Sequence, residues 1–413
     1  SMSIHRRTRS FILSNLASPD NRLIGMEEEC ILHNVDGKRI PVNLGEEFSA
    51  TDLLHIMNDK IGSNGEYSLE PGGQLEWSSP PFLSLNDLQL SMEAHHALLS
   101  DVILDNNLNL IDYGLDPITT PGEINLIDNK KYQLMDKSME KNGSMGKWMM
   151  RNTASIQVSF DAISERDIEE MVFVADCLHP IAAYLFANSP YQNGRPTDLK
   201  NIRNIIWENT DQYRCKSLFD HGIDMPKGLV DNYVEYMLKV QSIFKLGSPG
   251  EVESSDKSLG EVLQGLHDTE CLNDKNIQAA LHQIFTNVRL KNLVEVRGAD
   301  RTPRGYEMAP VAFWTGLLME SMTRTNALKV LMTWNKNDRK LFNKAGLSLD
   351  KSQPGPKGKT YEEWIKWGGE LALNGLKRRG LKEEVLFDKF FNSVISLGPF
   401  SLQVQENEPT YNT

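Results

Sequence analysis

The sequence has 413 residues, of which 40% are hydrophobic and 24% charged, and it carries a formal net charge of −12 at pH 7. This composition is typical of a folded globular protein and excludes a disordered or fibrous chain. The acidic balance argues against a nucleic-acid surface, which needs clustered lysines and arginines, and no segment approaches the ~18 consecutive apolar residues of a membrane-spanning helix.

The predicted elements alternate along the chain. Apolar residues at three- and four-residue spacing predict helices around 84–104, 165–188, 228–244, 309–333 and 359–397. Alternating apolar and polar residues predict strands near 22–33, 67–78, 108–115, 151–161 and 287–299. Stretches rich in Gly, Pro and Ser predict surface loops at 118–123, 246–256 and 352–358. Because the strands lack regular βαβ spacing, we expect an α+β fold with a largely antiparallel sheet and helices packed outside.

The length predicts a large domain with lobes or two intimate domains, and a chain of this size can bury a sizeable site. We expect a single domain, which would carry any catalytic site, over residues 21–400, with a C-terminal helical part at about 325–400. Residues 1–20 are predicted to be a leading segment that forms a short helix, and residues 401–413 a tail.

The first predicted strand carries three consecutive glutamates between apolar residues, in the sequence IGMEEECIL at 24–32. Successive side chains of a strand point to opposite faces of the sheet. Glu27 and Glu29 are therefore expected to share one face, with Glu28 on the other.

Three later strands also combine an apolar face with a polar one. Their polar faces carry, in chain order, Glu70 and Glu76, then Arg151 and Gln157, then Arg289, Lys291, Glu295 and Arg297. For any single strand the alternative of an ordinary solvated face remains open, because antiparallel sheets commonly have one.

Convergence of these faces would enclose five carboxylates and several arginines. Carboxylates at close quarters raise one another's pKa unless divalent cations keep them ionised. Mg²⁺ prefers oxygen ligands and usually binds a few carboxylates together with a substrate phosphate. Arginines hold phosphate or carboxylate groups by bidentate hydrogen bonds. The combination points to phosphoryl transfer from a nucleotide.

Six sequence blocks, in this order, resemble the glutamate–cysteine ligases of the plant and proteobacterial type. They read IGMEEE, SLEPGGQLEWS, MRNTASIQVSFD, HPIAAYLFANSP, IRNIIWENTDQYR and VRLKNLVEVRGAD. The resemblance runs from about residue 20 to about residue 345, with a weaker helical continuation over 370–380. It implies a fold similar to glutamine synthetase, in which a curved, mainly antiparallel sheet forms a funnel-shaped active site.

The resemblance also implies a reaction. ATP, L-glutamate and L-cysteine would give γ-glutamylcysteine, ADP and phosphate through a γ-glutamyl phosphate, the first step of glutathione biosynthesis. A sister ligase that joins glutamate to a different amine remains the main alternative. The expected cofactors are two or more Mg²⁺ ions, with ATP as co-substrate. No nucleic-acid or membrane partner is expected, and a homodimer is one possible assembly.

Site residues follow from the resemblance position by position. The expected metal ligands are the acids Glu27, Glu29, Glu70, Glu76 and Glu295. The expected catalytic residues, which would anchor the substrate or the transferring phosphoryl group, are Arg297 and Arg151. Substrate or ATP binding is expected for Arg289, Lys291, Gln157, Arg203 and Arg214, and Gln157 is also a candidate neutral metal ligand. Glu28 stands where the family has a histidine, and its role is left unassigned.

Other residues depart from the family's pattern or indicate structure. Paired redox cysteines of the plant enzymes cannot be placed on Cys30, Cys177, Cys215 or Cys271, so reduced thiols are expected. The absence of a long transit segment then predicts a cytoplasmic protein. The adjacent pair His95–His96 lies in a predicted helix, where neighbouring side chains point about 100° apart. This is a poor geometry for binding a metal, and it favours a surface or interface role. Trp207 is interpreted as a core residue, with a site role left open.

Overall fold

The computed structural model describes residues 3–244 and 255–412, so most of the predicted loop at 246–256 lies outside the described residues. The helices are α1 (Ile4–Ile12), α2 (Ala50–Lys60), α3 (Leu85–Asp105), α4 (Lys130–Asn142), α5 (Gly146–Asn152), α6 (Glu165–Leu185), α7 (Ile202–Glu208), α8 (Leu229–Lys239), α9 (Leu259–Asp268), α10 (Asp274–Leu281), α11 (Met308–Leu318), α12 (Ser321–Leu331), α13 (Lys336–Ala345), α14 (Tyr361–Arg379), α15 (Val385–Leu397) and α16 (Phe400–Asn407). The strands are β1 (Ile24–His33), β2 (Glu66–Leu69), β3 (Leu75–Ser78), β4 (Asn109–Ile111), β5 (Ser155–Phe160), β6 (Tyr191–Gln192), β7 (Arg195–Pro196), β8 (Val288–Leu290) and β9 (Val294–Asp300).

One antiparallel sheet organises the described residues. Its strand order is β2-β3-β1-β5-β9-β8, and β4 pairs with the far end of β1. β6 and β7 form a separate two-stranded hairpin. The predicted α+β fold with a mainly antiparallel sheet is confirmed, and β1 lies near its centre.

The register of the sheet brings the polar side chains of neighbouring strands side by side. Glu29 of β1 pairs with Glu76 of β3, and on the other edge of β1 Glu27 pairs with Gln157 of β5. Further along the sheet, Glu295 of β9 pairs with Arg289 of β8. Directly paired residues point to the same face of a sheet, so these side chains share one face.

Helices cover the opposite, apolar face. Every residue of α11 is buried, and this helix packs between β5, α6, α14 and α15. The crossing with α14 is close because it uses glycine, since a Cβ at Gly375 would lie 1.9 Å from the backbone oxygen of Gly316. The main hydrophobic core of the described residues fills the space between these helices and the sheet.

Two of the predicted strands are hairpins. The segment predicted at 67–78 divides into β2 and β3, and the segment at 287–299 divides into β8 and β9. The predicted strand at 151–161 begins only at Ser155, because α5 continues to Asn152 and contains Arg151. The face predicted for Arg151 is therefore wrong, since this side chain belongs to a helix rather than to the sheet.

Two of the predicted helices are pairs of helices. The segment at 309–333 divides into α11 and α12, and the segment at 359–397 divides into α14 and α15. The second division falls at Gly380, whose φ of 73° is a left-handed conformation that terminates a helix.

Both ends of the described chain pack onto the domain. The leading segment forms α1, which contacts α8, α9 and α10. Residues 401–413, predicted as a tail, begin within α16, where the Ser189 N–H donates to Ser401 Oγ over 2.7 Å. The division of the chain into leading segment, catalytic domain and tail stays a prediction. No helix among the described residues is both long and apolar enough to span a membrane.

Candidate active site

A cavity of about 360 Å³ lies over the polar face of the sheet, between the strands and helices α4, α5, α7 and α10. Acidic and basic side chains meet in it. Its charged and amide lining residues are Glu27, Glu29, Glu70, Gln74, Glu76, Lys131, Gln157, Arg203, Gln283, Arg289, Lys291 and Arg297. The structure thus brings together nine of the twelve site residues predicted from the sequence.

Four glutamates form the acidic side of the cavity. Glu29, Glu70 and Glu76 each offer an oxygen, and these oxygens lie within 4.8 Å of one another, a spacing that a metal ion could bridge. Glu29 is held in place by Ser155, whose backbone N–H and hydroxyl donate to Glu29 Oε1 over 2.9 and 2.8 Å. The acids come from β1, from β3 beside it and from the turn between β2 and β3, so the antiparallel pairing itself assembles the cluster.

The pKa values of these acids are raised because the charges are buried together. Burial and then the charge of Glu295 raise the pKa of Glu27 to about 7. Burial and then Glu70 raise the pKa of Glu29 to about 8. Burial, Glu27 and Glu70 raise the pKa of Glu76 well above its ordinary value. The cluster therefore lacks positive charge, and a divalent cation would supply it.

The fifth predicted metal ligand, Glu295, has a different environment. It is buried and does not line the cavity. Arg289 Nε lies 2.7 Å from Glu295 Oε2, and Lys291 Nζ lies 3.8 Å from Oε1. Although burial opposes ionisation, Arg289, Lys291 and Arg297 hold the pKa of Glu295 well below its ordinary value. In this arrangement Glu295 positions two cations of the cavity.

Two arginines stack against one tryptophan at the basic side. The Arg297 guanidinium lies 5.3 Å from the Trp207 ring centroid and that of Arg203 lies 5.8 Å away. Arg297 Nη1 donates to Thr286 O over 3.0 Å, while its Nε is buried without a hydrogen-bond partner. Trp207 Nε1 is also buried without a partner. Both residues line the cavity.

Besides Glu295, two predicted site residues lie outside the cavity. Arg151 pairs with Asp136 of α4 over 3.0 Å, because its position on α5 turns it away from the sheet face. Arg214 is fully buried, with Nε donating to Asp211 over 2.7 Å and the remaining nitrogens donating to the carbonyls of Gln283 and Gln241. Arg214 therefore supports the segment that carries Gln283 into the cavity.

Several lining residues were not predicted from the sequence. Lys131 and Tyr132 of α4 reach the cavity, and the Lys131 ammonium lies 5.6 Å from the ring centroid of Phe244. Burial, with Arg289 and then Lys291 nearby, lowers the pKa of His282 to about 3, and its Nε2 is buried without a partner. These residues stand singly in helices and loops, where no alternation or motif marks them.

Glu28 points to the opposite face, as predicted, and contacts the two histidines of α3. His95 Nε2 lies 3.1 Å from Glu28 Oε2, and His96 Nε2 lies 2.8 Å from Glu28 Oε1. The surface or interface role predicted for these histidines is wrong for His95, which is only 2% exposed, whereas His96 is half-buried and lines a surface cavity. Helix α3 crosses behind β1, and the Glu28 carboxylate lies between the two rings.

Comparison with known proteins decides the family. A family model described as glutamate-cysteine ligase family 2 matches residues 23–346. The chain belongs to this family.

Plant members of the family are similar over much of the chain. Glutamate–cysteine ligase A of rice (Oryza sativa subsp. indica), a chloroplastic protein, is 30% identical over 412 residues, which cover 94% of this chain and 81% of the relative. The chloroplastic glutamate–cysteine ligase of Medicago truncatula is 31% identical over 327 residues, covering 76% of this chain and 62% of that one. These chloroplast relatives contradict the cytoplasmic setting predicted from the sequence, and that prediction is withdrawn.

Two solved structures share the fold. A glutamate–cysteine ligase from Francisella tularensis in complex with AMP matches with a TM-score of 0.54 and 13% identity, over 95% of this chain and 86% of that chain. A bifunctional glutathione synthetase from Pasteurella multocida matches with a TM-score of 0.51 and 12% identity, and this chain spans half of its length.

All four cysteines are free in the structure. Three of them are buried, and Cys271 is exposed. Burial raises the pKa of the Cys30 and Cys177 thiols to about 12, so these two are poor nucleophiles.

Proposed function

We propose that this protein is an ATP-dependent glutamate–cysteine ligase. It joins the γ-carboxylate of L-glutamate to the amine of L-cysteine through a γ-glutamyl phosphate and releases ADP and phosphate. The observation that carries the proposal is the cavity in which four glutamates from β1, the β2–β3 turn and β3 face five cationic side chains, namely Lys131, Arg203, Arg289, Lys291 and Arg297. Family membership gives this arrangement its reaction class.

The acidic side fits two or more Mg²⁺ ions. Its donors are carboxylate oxygens, the ligands that this ion prefers, and their raised pKa values indicate missing positive charge. Glu27, Glu29, Glu70 and Glu76 would hold the ions. When bound, Mg²⁺ would neutralise charge on the transferring phosphoryl group. Ser155 fixes Glu29 through two hydrogen bonds, so part of the ligand set is already oriented.

The basic side would bind the anionic groups of the substrates. Arg289 and Lys291 are positioned by Glu295, and Arg297 is positioned by Thr286 and Trp207. Their charges would stabilise the γ-phosphate during transfer and the tetrahedral intermediate when the amine attacks. The side chains need not supply a nucleophile, because the γ-carboxylate and the amine come from the substrates. Gln157, paired with Glu27, is proposed as a neutral ligand beside the metal.

Phosphate release by the purified protein tests this proposal. With Mg²⁺ and ATP, we expect release only when L-glutamate and an amine acceptor are both present, with L-cysteine the best of a panel of amines. Equal release with and without glutamate would refute the ligase. Another amine surpassing cysteine would instead favour the sister ligase.

The homodimer stays a prediction, which sedimentation analysis of the purified protein tests. A single species at the mass of one chain would contradict it.

A further inference from the structure

A second cluster of potential metal ligands lies on the face of the sheet opposite the catalytic cavity. Glu28 of β1 points there, towards His95 and His96 of α3. The ligand atoms of these three residues lie within 4.8 Å of one another, and Glu307, the residue before α11, lies beside them with its Oε2 3.5 Å from His96 Nε2. Glu28, His95 and Glu307 are buried and His96 is half-buried.

We propose that Glu28, His95 and His96 bind one divalent transition-metal ion of the zinc class, with the fourth position left to water. Imidazole nitrogens and carboxylate oxygens are ordinary zinc ligands, whereas Mg²⁺ and Ca²⁺ prefer oxygen alone. Tetrahedral bonds of about 2.0–2.1 Å place ligand atoms about 3.3 Å apart. The observed distances, 3.1 Å from Glu28 Oε2 to His95 Nε2 and 2.8 Å from Glu28 Oε1 to His96 Nε2, lie close to this value.

His95 is already oriented for such a role. Its Nδ1 lies 2.6 Å from the Tyr67 hydroxyl, and its ring stacks on Trp77 with the centroids 4.7 Å apart and the planes within 13°. Metal-binding histidines typically hold the second ring nitrogen in a hydrogen bond, which sets the tautomer and the ring direction. The Tyr67 contact leaves His95 Nε2 facing Glu28.

The buried acids of this cluster outnumber the arginine that pairs with them. Arg301 is the buried cation shared by the two acids, with Nη1 3.4 Å from Glu28 Oε2 and Nη2 4.0 Å from Glu307 Oε2. Its Nε faces a third carboxylate, that of Asp112, at 3.6 Å. One arginine cannot neutralise both buried glutamates, so the balance comes from a bound cation or from a bound proton on His96 or Glu307. A bound cation and a bound proton are the two outcomes that an experiment can separate.

Solvent can reach the cluster. A surface cavity of about 420 Å³ is lined by His96, Arg301, Arg304 and Glu307 together with apolar residues of α3. An ion would enter through this cavity without crossing the sheet. Once bound, it would fasten β1 to α3 behind Glu27 and Glu29, and so brace the strand that carries two acids of the catalytic cavity.

Cobalt titration of the full-length protein tests the site. Co²⁺ replaces zinc in tetrahedral nitrogen and oxygen sites and then absorbs strongly in the visible range. An excess of Mg²⁺ in the buffer keeps the carboxylates of the catalytic cavity occupied. We expect the wild-type protein to bind one equivalent of Co²⁺ with the tetrahedral absorption, and Glu76→Gln to do the same.

Three variants separate a metal site from an ion-pair network. His96→Gln removes a ligand and is expected to weaken Co²⁺ binding at least tenfold. Tyr67→Phe removes only the hydrogen bond to His95 and is expected to weaken binding about 10- to 100-fold. His55→Gln, at an exposed position of α2, is the matched control and should bind as the wild type does.

Two results of the Co²⁺ titration would overturn the proposal. Absence of the tetrahedral absorption in the wild type, or equal Co²⁺ affinity in the wild type and both site variants, would leave an ion-pair network of Glu28 with its histidines and Arg301. Far-UV circular dichroism checks folding, and if His96→Gln does not fold, Tyr67→Phe decides.

Discussion

Replacing Glu29 by glutamine tests separately how the acidic cluster contributes to turnover and how much it destabilises the metal-free fold. Glutamine keeps the side-chain length, and its amide oxygen can still accept the two hydrogen bonds from Ser155. The substitution therefore removes a charge and little else. We expect phosphate release to fall about 100-fold or more, because a preorganised electrostatic contact is lost, while the metal-free fold becomes more stable at neutral pH.

The magnitude follows from the pKa of Glu29, which is about 8 in the fold against an ordinary value of 4.5. Because the folded protein binds this proton more tightly than the unfolded chain does, the contribution of Glu29 to stability is fully present below pH 4.5 and is lost as the pH rises towards 8. Between the ordinary pKa of 4.5 and pH 7 lie 2.5 pH units, and each unit costs about 1.36 kcal/mol. At pH 7 the contribution of Glu29 to the free energy of unfolding of the wild type is therefore lower by about 3 kcal/mol than at pH 4.5. Water in the cavity screens the charge, so we expect Glu29→Gln to gain ~1–3 kcal/mol at pH 7 and almost nothing at pH 4.5.

Urea unfolding of the metal-free proteins at the two pH values measures this difference. Repeating the experiment with Mg²⁺ should reverse it at pH 7, because an ion at 100 times its dissociation constant stabilises the wild type by about 2.7 kcal/mol and binds the variant less tightly. The reasoning is refuted if the variant is less stable than the wild type at pH 7 without metal, or if the gain is the same at both pH values.

Three further predictions concern the remaining parts of the site. Removing divalent cations with a chelator should abolish phosphate release and Mg²⁺ should restore it; activity that persists in the chelator would exclude the metal. Arg297→Lys keeps the charge but loses the planar fork, and should reduce turnover by about 100-fold, whereas Arg151→Ala, outside the cavity, should stay within a few-fold of the wild type; the opposite ranking in a steady-state assay would restore the sequence-based assignment. Arg214→Ala should destabilise the protein by ~3–5 kcal/mol in urea unfolding, since it leaves Asp211 buried and unpaired, and a loss below ~1 kcal/mol would contradict that role.

The acidic side of the cavity could be predicted because strand alternation is a local property. Glu27 and Glu29 are two residues apart, so they share a face whatever β1 pairs with. The hairpin of β2 and β3 keeps Glu70 and Glu76 at the same cavity, because the intervening turn returns the chain antiparallel beside β1. Here the pattern and the topology agree.

The positions of Arg151 and Arg214 could not be read in the same way. The sequence RNTASIQVSFD alternates from its first residue, yet the structure continues α5 through Asn152 before the strand begins. Alternation cannot locate that boundary, because a polar residue at the end of a helix also fits it. Arg214 lies in a segment without periodicity, and only the tertiary fold shows that Asp211 and two carbonyls occupy all of its contacts.

The two faces of β1 place different chemistry one residue apart. Glu27 and Glu29 face carboxylates, and burial together with the neighbouring negative charges raises their pKa values. Although burial opposes it, Arg301, His95 and His96 hold the pKa of Glu28 well below its ordinary value. A one-residue shift of β1 against its neighbours would exchange these environments, placing one acid in the cavity and two against the histidines. The run of three glutamates therefore also makes the register of the central strand costly to change, because the cavity face accommodates two glutamates and the histidine face accommodates one.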